Sequence, residues 1–127
     1  MTSAPAHTVP DATAAFHAYD RAWTVEDDTE RLTLLRSAVV EDVVWQDPFN
    51  DLHGIQALSG FIGEFVRNRQ RLITVGGWQQ HHAYGRFRWV ALSPEGEVFA
   101  EGEDVATVTP DGTLDRFMIF AALVGKP

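Results

Sequence analysis

Two four-residue turn signatures, Ser93-Pro94-Glu95-Gly96 and Thr109-Pro110-Asp111-Gly112, constrain this chain more than any other feature. Proline presets the backbone for the second position of a turn, and glycine accepts the left-handed conformation that closes it. Each signature separates long segments rich in Val, Ile, Phe and Thr. The spacing predicts an antiparallel meander with strands over Tyr84 to Leu92, Glu97 to Thr109 and Thr113 to Leu123. A further strand, Leu72 to His82, precedes them, and Gly76-Gly77 inside it reads as a bulge that bends the sheet.

Upstream the hydrophobic period changes from two to that of a helix. Ala12, Ala15, Phe16, Tyr19 and Trp23 predict a first helix from Ala12 to Trp23. Glu26-Asp27-Asp28-Thr29 supplies caps and first-turn acids for a second, over Glu30 to Val39, with Leu32, Leu35 and Val39 inward. Val43 to Asp47 reads as a strand stopped by Pro48, and Asn50, Asp51 and Gly54 as a loop. A third helix follows over Ile55 to Asn68, with Ile55, Leu58, Phe61, Ile62 and Phe65 as its inner stripe. This order predicts an α+β fold: a curved antiparallel or mixed sheet covered by about three N-terminal helices and enclosing a pocket. With 127 residues, 45% of them hydrophobic, the chain has room for one such domain over residues 13–127, after a flexible arm over residues 1–12.

Ten Lys and Arg against 18 Asp and Glu leave a net charge of −8, so no nucleic-acid or anionic-membrane partner is expected. The sequence has no cysteine, which removes disulfides, thiolate nucleophiles and cysteine-based metal sites. The first residues lack the basic and apolar regions of a secretory signal, and no run of ~18 apolar residues occurs. A cytoplasmic protein is the expectation. His81 and His82 are adjacent, so on a strand they point to opposite faces and cannot share a metal; His82 is the one assigned to the pocket. Nucleophile-elbow, phosphate-loop and dinucleotide glycine motifs are absent.

Alternation along the strands locates two carboxylates where charge is costly. Asp104 is in phase with Val98, Ala100, Gly102, Ala106 and Val108, all apolar or glycine, while Glu97, Glu101, Glu103 and Thr107 take the other face with Phe99 and Val105. Such an Asp has a partner, is protonated, or lines a cavity. Asp47 ends the stripe Val43, Trp45, Asp47, and two roles are open to it: a pocket carboxylate or a turn residue before Pro48. Tyr19 lies on the apolar stripe of the first helix, as a core tyrosine or a functional phenol.

Three stretches carry a family resemblance: Val44-Trp45-Gln46-Asp47-Pro48, Gly54-Ile55-Gln56-Ala57-Leu58, and Gly102-Glu103-Asp104 followed by Asp111-Gly112 and a strand ending in Phe120. Beyond its N-terminal arm, the chain resembles the nuclear transport factor 2-like superfamily of cone-shaped α+β domains, and within it the SnoaL-like polyketide cyclases and ketosteroid isomerases, which implies that the curved sheet closes into a cone. The resemblance implies a cofactor-independent enzyme of isomerase, cyclase or dehydratase type acting on an apolar, carbonyl-bearing small molecule. In that scheme Asp47 is the base, and Tyr19 and a protonated Asp104 donate to the developing enolate. It also implies a homodimer formed by the outer sheet face, with Phe99, Val105, Met118 and Phe120 as candidates.

Trp23, Trp45, Phe49, Phe61, Phe65, Phe117 and Ile119 would form the pocket walls, or simply the core. The same fold also hosts non-catalytic binding modules. A third reading, an epoxide hydrolase, needs an Asp–Arg–Asp cluster. The alternation in Arg86-Phe87-Arg88-Trp89 supplies an arginine to the pocket only if the register shifts by one.

Overall fold

Both turn signatures close the hairpins they predict. Gly96 N–H donates to Ser93 O and Gly112 N–H to Thr109 O, and both glycines are left-handed, with φ of 87° and 82°. The computed structural model describes residues 9–127, and of the expected arm residues 1–8 lie outside the described residues. Next to them the chain is tied down: Gln80 Nε2 donates to Pro10 O, Ala12 N–H donates to Gln80 Oε1, and Ala12 is buried.

The elements run α1 (Thr13–Ala22), α2 (Asp28–Ala38), β1 (Val39–Gln46), β2 (Asp51–His53), α3 (Ile55–Arg67), β3 (Arg71–His81), β4 (Tyr84–Leu92), β5 (Val98–Val108) and β6 (Leu114–Leu123). They form one six-stranded sheet in the order β2-β1-β6-β5-β4-β3, with β1 parallel to β6 and all other neighbours antiparallel. The parallel pair is possible because α3 and the long β3–β4–β5 path return the chain to the far side of β1. Strand β2 replaces part of the expected loop. It has three residues, too few for a period to show in sequence.

The strand pairings shift register at four places, of which the shifts in β3 and β5 bear on the expected phase. In β3, Val75 pairs with Arg88 but Gln79 with Arg86, so β3 carries two extra residues in the stretch holding Gly76 and Gly77 (φ 88° and 78°). This is the predicted bulge. In β5, Val98 pairs with Leu92 and Ala100 with Ala91, which leaves Phe99 as one extra residue. That bulge corrects the expected phase: Phe99 turns inward and is 7% exposed, whereas Val98 is 42% exposed. Phe99 is therefore unavailable to an outer-face contact.

Helix α2 starts at Asp28 because Asp27 Oδ2 accepts from Glu30 N–H. Its buried face is Leu35, Ala38 and Arg31, with Leu32 only half-buried. Arg31 donates to Ser59 O and Oγ, to Val25 O and Glu26 O, and to Asp28, and so ties α2 to its preceding loop and to α3. A buried guanidinium survives only with its donors matched in this way. Gly63 makes the room, since a Cβ there would collide with the Arg31 guanidinium. On the covered face of the sheet, Phe16, Tyr19 and Ala22 of α1 and Ile55, Leu58 and Ile62 of α3 join Phe87, Ala106 and Phe117 in one core.

Candidate functional site

The apolar rows of β4, β5, β6 and β1 do not fill the space beneath the helices. They leave a cavity of about 240 Å³ bounded by Tyr19 from α1 and Trp23 just past its end, Phe61 and Phe65 from α3, and Trp45, Trp89, Phe99, Asp104 and Ile119 from the sheet. Asp47, Phe49 and Asn50 also line it. Among the described residues no lysine, arginine or histidine does.

Asp104 stands in the row Phe87–Asp104–Ile119 across β4, β5 and β6. It is 3% exposed. Trp89 Nε1–H donates to its Oδ1 at 2.7 Å, and the Tyr19 hydroxyl approaches Oδ2 at a long 3.5 Å. Trp45 Nε1–H donates to Tyr19 Oη at 2.9 Å. Gly102 makes the Trp89 contact possible. A Cβ there would come within 2.5 Å of the Trp89 ring, and Gly102 is the residue opposite Trp89 in the register. The Gly102-Glu103-Asp104 pattern thus has a packing cause.

Burial pushes the Asp104 carboxyl up to about 8; the Trp89 and Tyr19 hydrogen bonds oppose this only in part, and the charge of Asp47 adds to it. The side chain is protonated at neutral pH. With Oδ1 accepting from Trp89, its proton belongs on Oδ2, beside the Tyr19 oxygen. Burial and the neighbouring Asp104 raise the Tyr19 phenol well above its ordinary value, so it stays a donor. The long Tyr19–Asp104 separation leaves that donor uncommitted.

Asp47 follows β1 and turns the chain toward β2. Its Oδ1 accepts from Phe49 N–H (2.8 Å), Asn50 N–H (2.7 Å) and Asn50 Nδ2 (3.0 Å), whereas Oδ2 receives only Asn50 Nδ2 at 3.2 Å. The turn saturates Oδ1, whereas Oδ2 keeps a free lone pair.

The sequence matches no protein-family model and no curated protein. Solved structures do match. A candidate isomerase of the SnoaL-like family from Agrobacterium tumefaciens C58 superposes with a TM-score of 0.74 at 29% identity, over 85% of this chain and 94% of that one. The chain has the nuclear transport factor 2-like fold. A candidate ketosteroid isomerase from Kribbella flavida (TM-score 0.71, 15% identity, 91% of this chain and 81% of that one) shares this fold. So does a candidate polyketide cyclase from Sinorhizobium meliloti (0.65, 15%, 83% and 92%). At such identities the likeness to these two concerns the NTF2-like fold and not an activity.

Within the NTF2-like cone, Asp47, Asp104 and Tyr19 face one cavity, together with Trp23, Trp45, Phe61, Phe65 and Ile119. Phe49 sits at the mouth, 65% exposed. Two expected wall residues are corrected. Phe117 is fully buried behind Tyr19, stacked on it at 4.6 Å, and does not line the cavity. His82 is exposed in the β3–β4 turn, where its left-handed backbone (φ 53°) brings its Nδ1 to 3.1 Å from that of His81 instead of to the opposite face.

Arg86 and Arg88 are exposed on the outer face, Arg86 bonding Gln79, so the register shift that an Asp–Arg–Asp cluster required does not occur. Among the described residues no three metal-ligating side chains converge, and no helix is long and apolar enough to cross a membrane. The sequence reading names Trp89 only within the Arg86–Trp89 alternation and misses it at the site, as it misses Asn50 as the partner of Asp47. The one signal for Trp89 was its shared phase with Phe87 on the inner face of β4.

Proposed function

We propose that this protein is a cofactor-independent acid–base enzyme, of isomerase, cyclase or dehydratase type, that enolises an apolar carbonyl compound. The observation that carries this reading is the division of labour between two carboxyls at one cavity. Asp104 is neutral, buried and backed onto Tyr19, while Asp47, which lines the same cavity, keeps a free lone pair on Oδ2. Asp47 Oδ2 takes a proton from the carbon next to the carbonyl, and the C–H electron pair moves to the carbonyl oxygen. Tyr19 donates to that oxygen as it becomes negative; Asp104, held neutral behind Tyr19, sets no opposing charge against it. Delivery of that proton to a different carbon of the enolate completes an isomerisation; its delivery instead to a β-hydroxyl, whose C–O bond breaks as the enolate electrons form the new C=C bond, releases water and gives a dehydration.

The test needs no knowledge of the natural substrate. 2-Tetralone is flat and apolar and has exchangeable protons next to its carbonyl. The protein is expected to accelerate their replacement by deuterium in D₂O, followed by proton NMR. Tyr19→Phe is expected to slow this about tenfold to hundredfold while 2-tetralone still binds. No acceleration by the wild-type protein, with binding intact, would leave a ligand-binding module.

Residence in the cytoplasm and homodimerisation through the outer sheet face belong to the same proposal. Phe120, 69% exposed, stands opposite Glu103, which itself pairs with Arg88, so the face carries an apolar centre flanked by both charges and is complementary to itself. Light scattering is expected to give twice the 14.1 kDa chain mass, and Phe120→Glu to give the monomer.

A further inference from the structure

Trp23 stands one helical turn beyond Tyr19, at the end of α1, and is 6% exposed. Among the described residues its Nε1–H is the one buried side-chain polar atom without a hydrogen-bond partner. The other two indole N–H groups of the wall are used, Trp45 by Tyr19 and Trp89 by Asp104. The Trp23 indole is held edge-on against Phe65 and Phe61, with interplanar angles of 87° and 83°. It cannot turn its N–H to solvent without breaking these contacts. The N–H lies beside the Tyr19 hydroxyl, near enough to favour charge on that oxygen yet without hydrogen-bond geometry. A buried donor with nothing to bond to, on a residue that lines a cavity, marks where a ligand acceptor belongs.

We propose that Trp23 is a specificity-determining residue whose N–H and the Tyr19 O–H address the same ligand oxygen, so that the cavity selects uncharged carbonyl compounds. This rests on the enolisation reading and adds to it. A carbonyl oxygen has two in-plane lone pairs and no hydrogen of its own, so it satisfies both donors at once. A carboxylate or phosphate would meet Asp47 with no cation in the wall to offset it. A hydrocarbon of the same shape would leave both donors unpaired, which is the stronger form of discrimination.

The experiment compares 2-tetralone with tetralin, the same skeleton without the oxygen, by calorimetry and by NMR of the indole N–H signals. The wild-type protein is expected to prefer 2-tetralone. Trp23→Phe keeps an aromatic ring and is expected to shrink that preference about threefold to tenfold, leaving tetralin affinity within about twofold. In the wild type, which needs no variant to fold, the Trp23 N–H resonance moves downfield with 2-tetralone and not with tetralin. A preference that survives in Trp23→Phe, or a Trp23 resonance that 2-tetralone does not move, overturns this assignment while deuterium exchange leaves the enolisation reading standing. Equal affinity for the two compounds in the wild type, without exchange, overturns both.

Discussion

Asp47→Asn is expected to slow the deuterium exchange of 2-tetralone by ~10²-fold or more while leaving its affinity nearly unchanged. The substitution separates the two roles open to this residue. Asparagine makes the same strand-end turn as aspartate, and its Oδ1 keeps the acceptor that Phe49 N–H and Asn50 N–H use. What disappears is Oδ2, the oxygen that only Asn50 Nδ2 contacts. An amide nitrogen there cannot take a proton. Asp47→Ala is the contrasting control: it removes the turn acceptor as well, so its lost activity would come with lost stability. Exchange that runs at the wild-type rate in Asp47→Asn would make Asp47 a turn residue and nothing more.

The physics behind this site divides into what a periodic pattern can carry and what it cannot. Asp104, Ala106 and Val108 share a face because β5 alternates without interruption through them, so the burial of Asp104 was legible from phase alone. Five residues earlier the same reasoning fails at Phe99, because one inserted residue reverses the phase and nothing in Val98-Phe99-Ala100 announces the bulge. Gly76-Gly77 did announce theirs, since both adopt positive φ. His82 also does so, but histidine gives no such signal, and its placement in a strand followed from ignoring a two-residue turn.

Arg31 shows a different limit. Helical spacing puts it on the inner side beside Leu35, yet composition assigns an arginine to solvent. Only the carbonyls of Val25, Glu26 and Ser59, brought together by tertiary structure, give it a place inside. The donors at the cavity are tertiary in the same sense. Which tryptophan N–H meets which oxygen depends on cross-strand register and on the space over Gly102, and neither is a property of any one segment.

Asp104→Asn is expected to make the protein more stable at pH 8.5 than the wild type, by an amount that vanishes toward pH 4. The sign follows from where the proton sits. The folded-state value for Asp104 is raised from 3.8 to about 8 by burial. Below pH 4 the group holds its proton in folded and unfolded chains alike and contributes no pH dependence. Between pH 4 and 8 the unfolded chain ionises while the folded one does not, so the wild type loses about 1.4 kcal/mol per pH unit from this group. Above pH 8 the loss is complete, on the order of 5 kcal/mol.

Asparagine cannot ionise, yet its Oδ1 still accepts from Trp89 and its Nδ2 faces Tyr19. The difference between the two urea midpoints, measured from pH 4.5 to 8.5, isolates this group from the other carboxylates, which both proteins share. Identical pH profiles would mean that Asp104 is ionised in the folded protein at neutral pH, and the support it lends Tyr19 as a neutral donor would fall with that. The same titration should reappear in deuterium exchange as an alkaline limb near pH 8 in the wild type and as no such limb in Asp104→Asn. One carboxyl governs both readouts in the proposed scheme, so the pH at which the stability loss levels off and the alkaline limb of exchange must coincide.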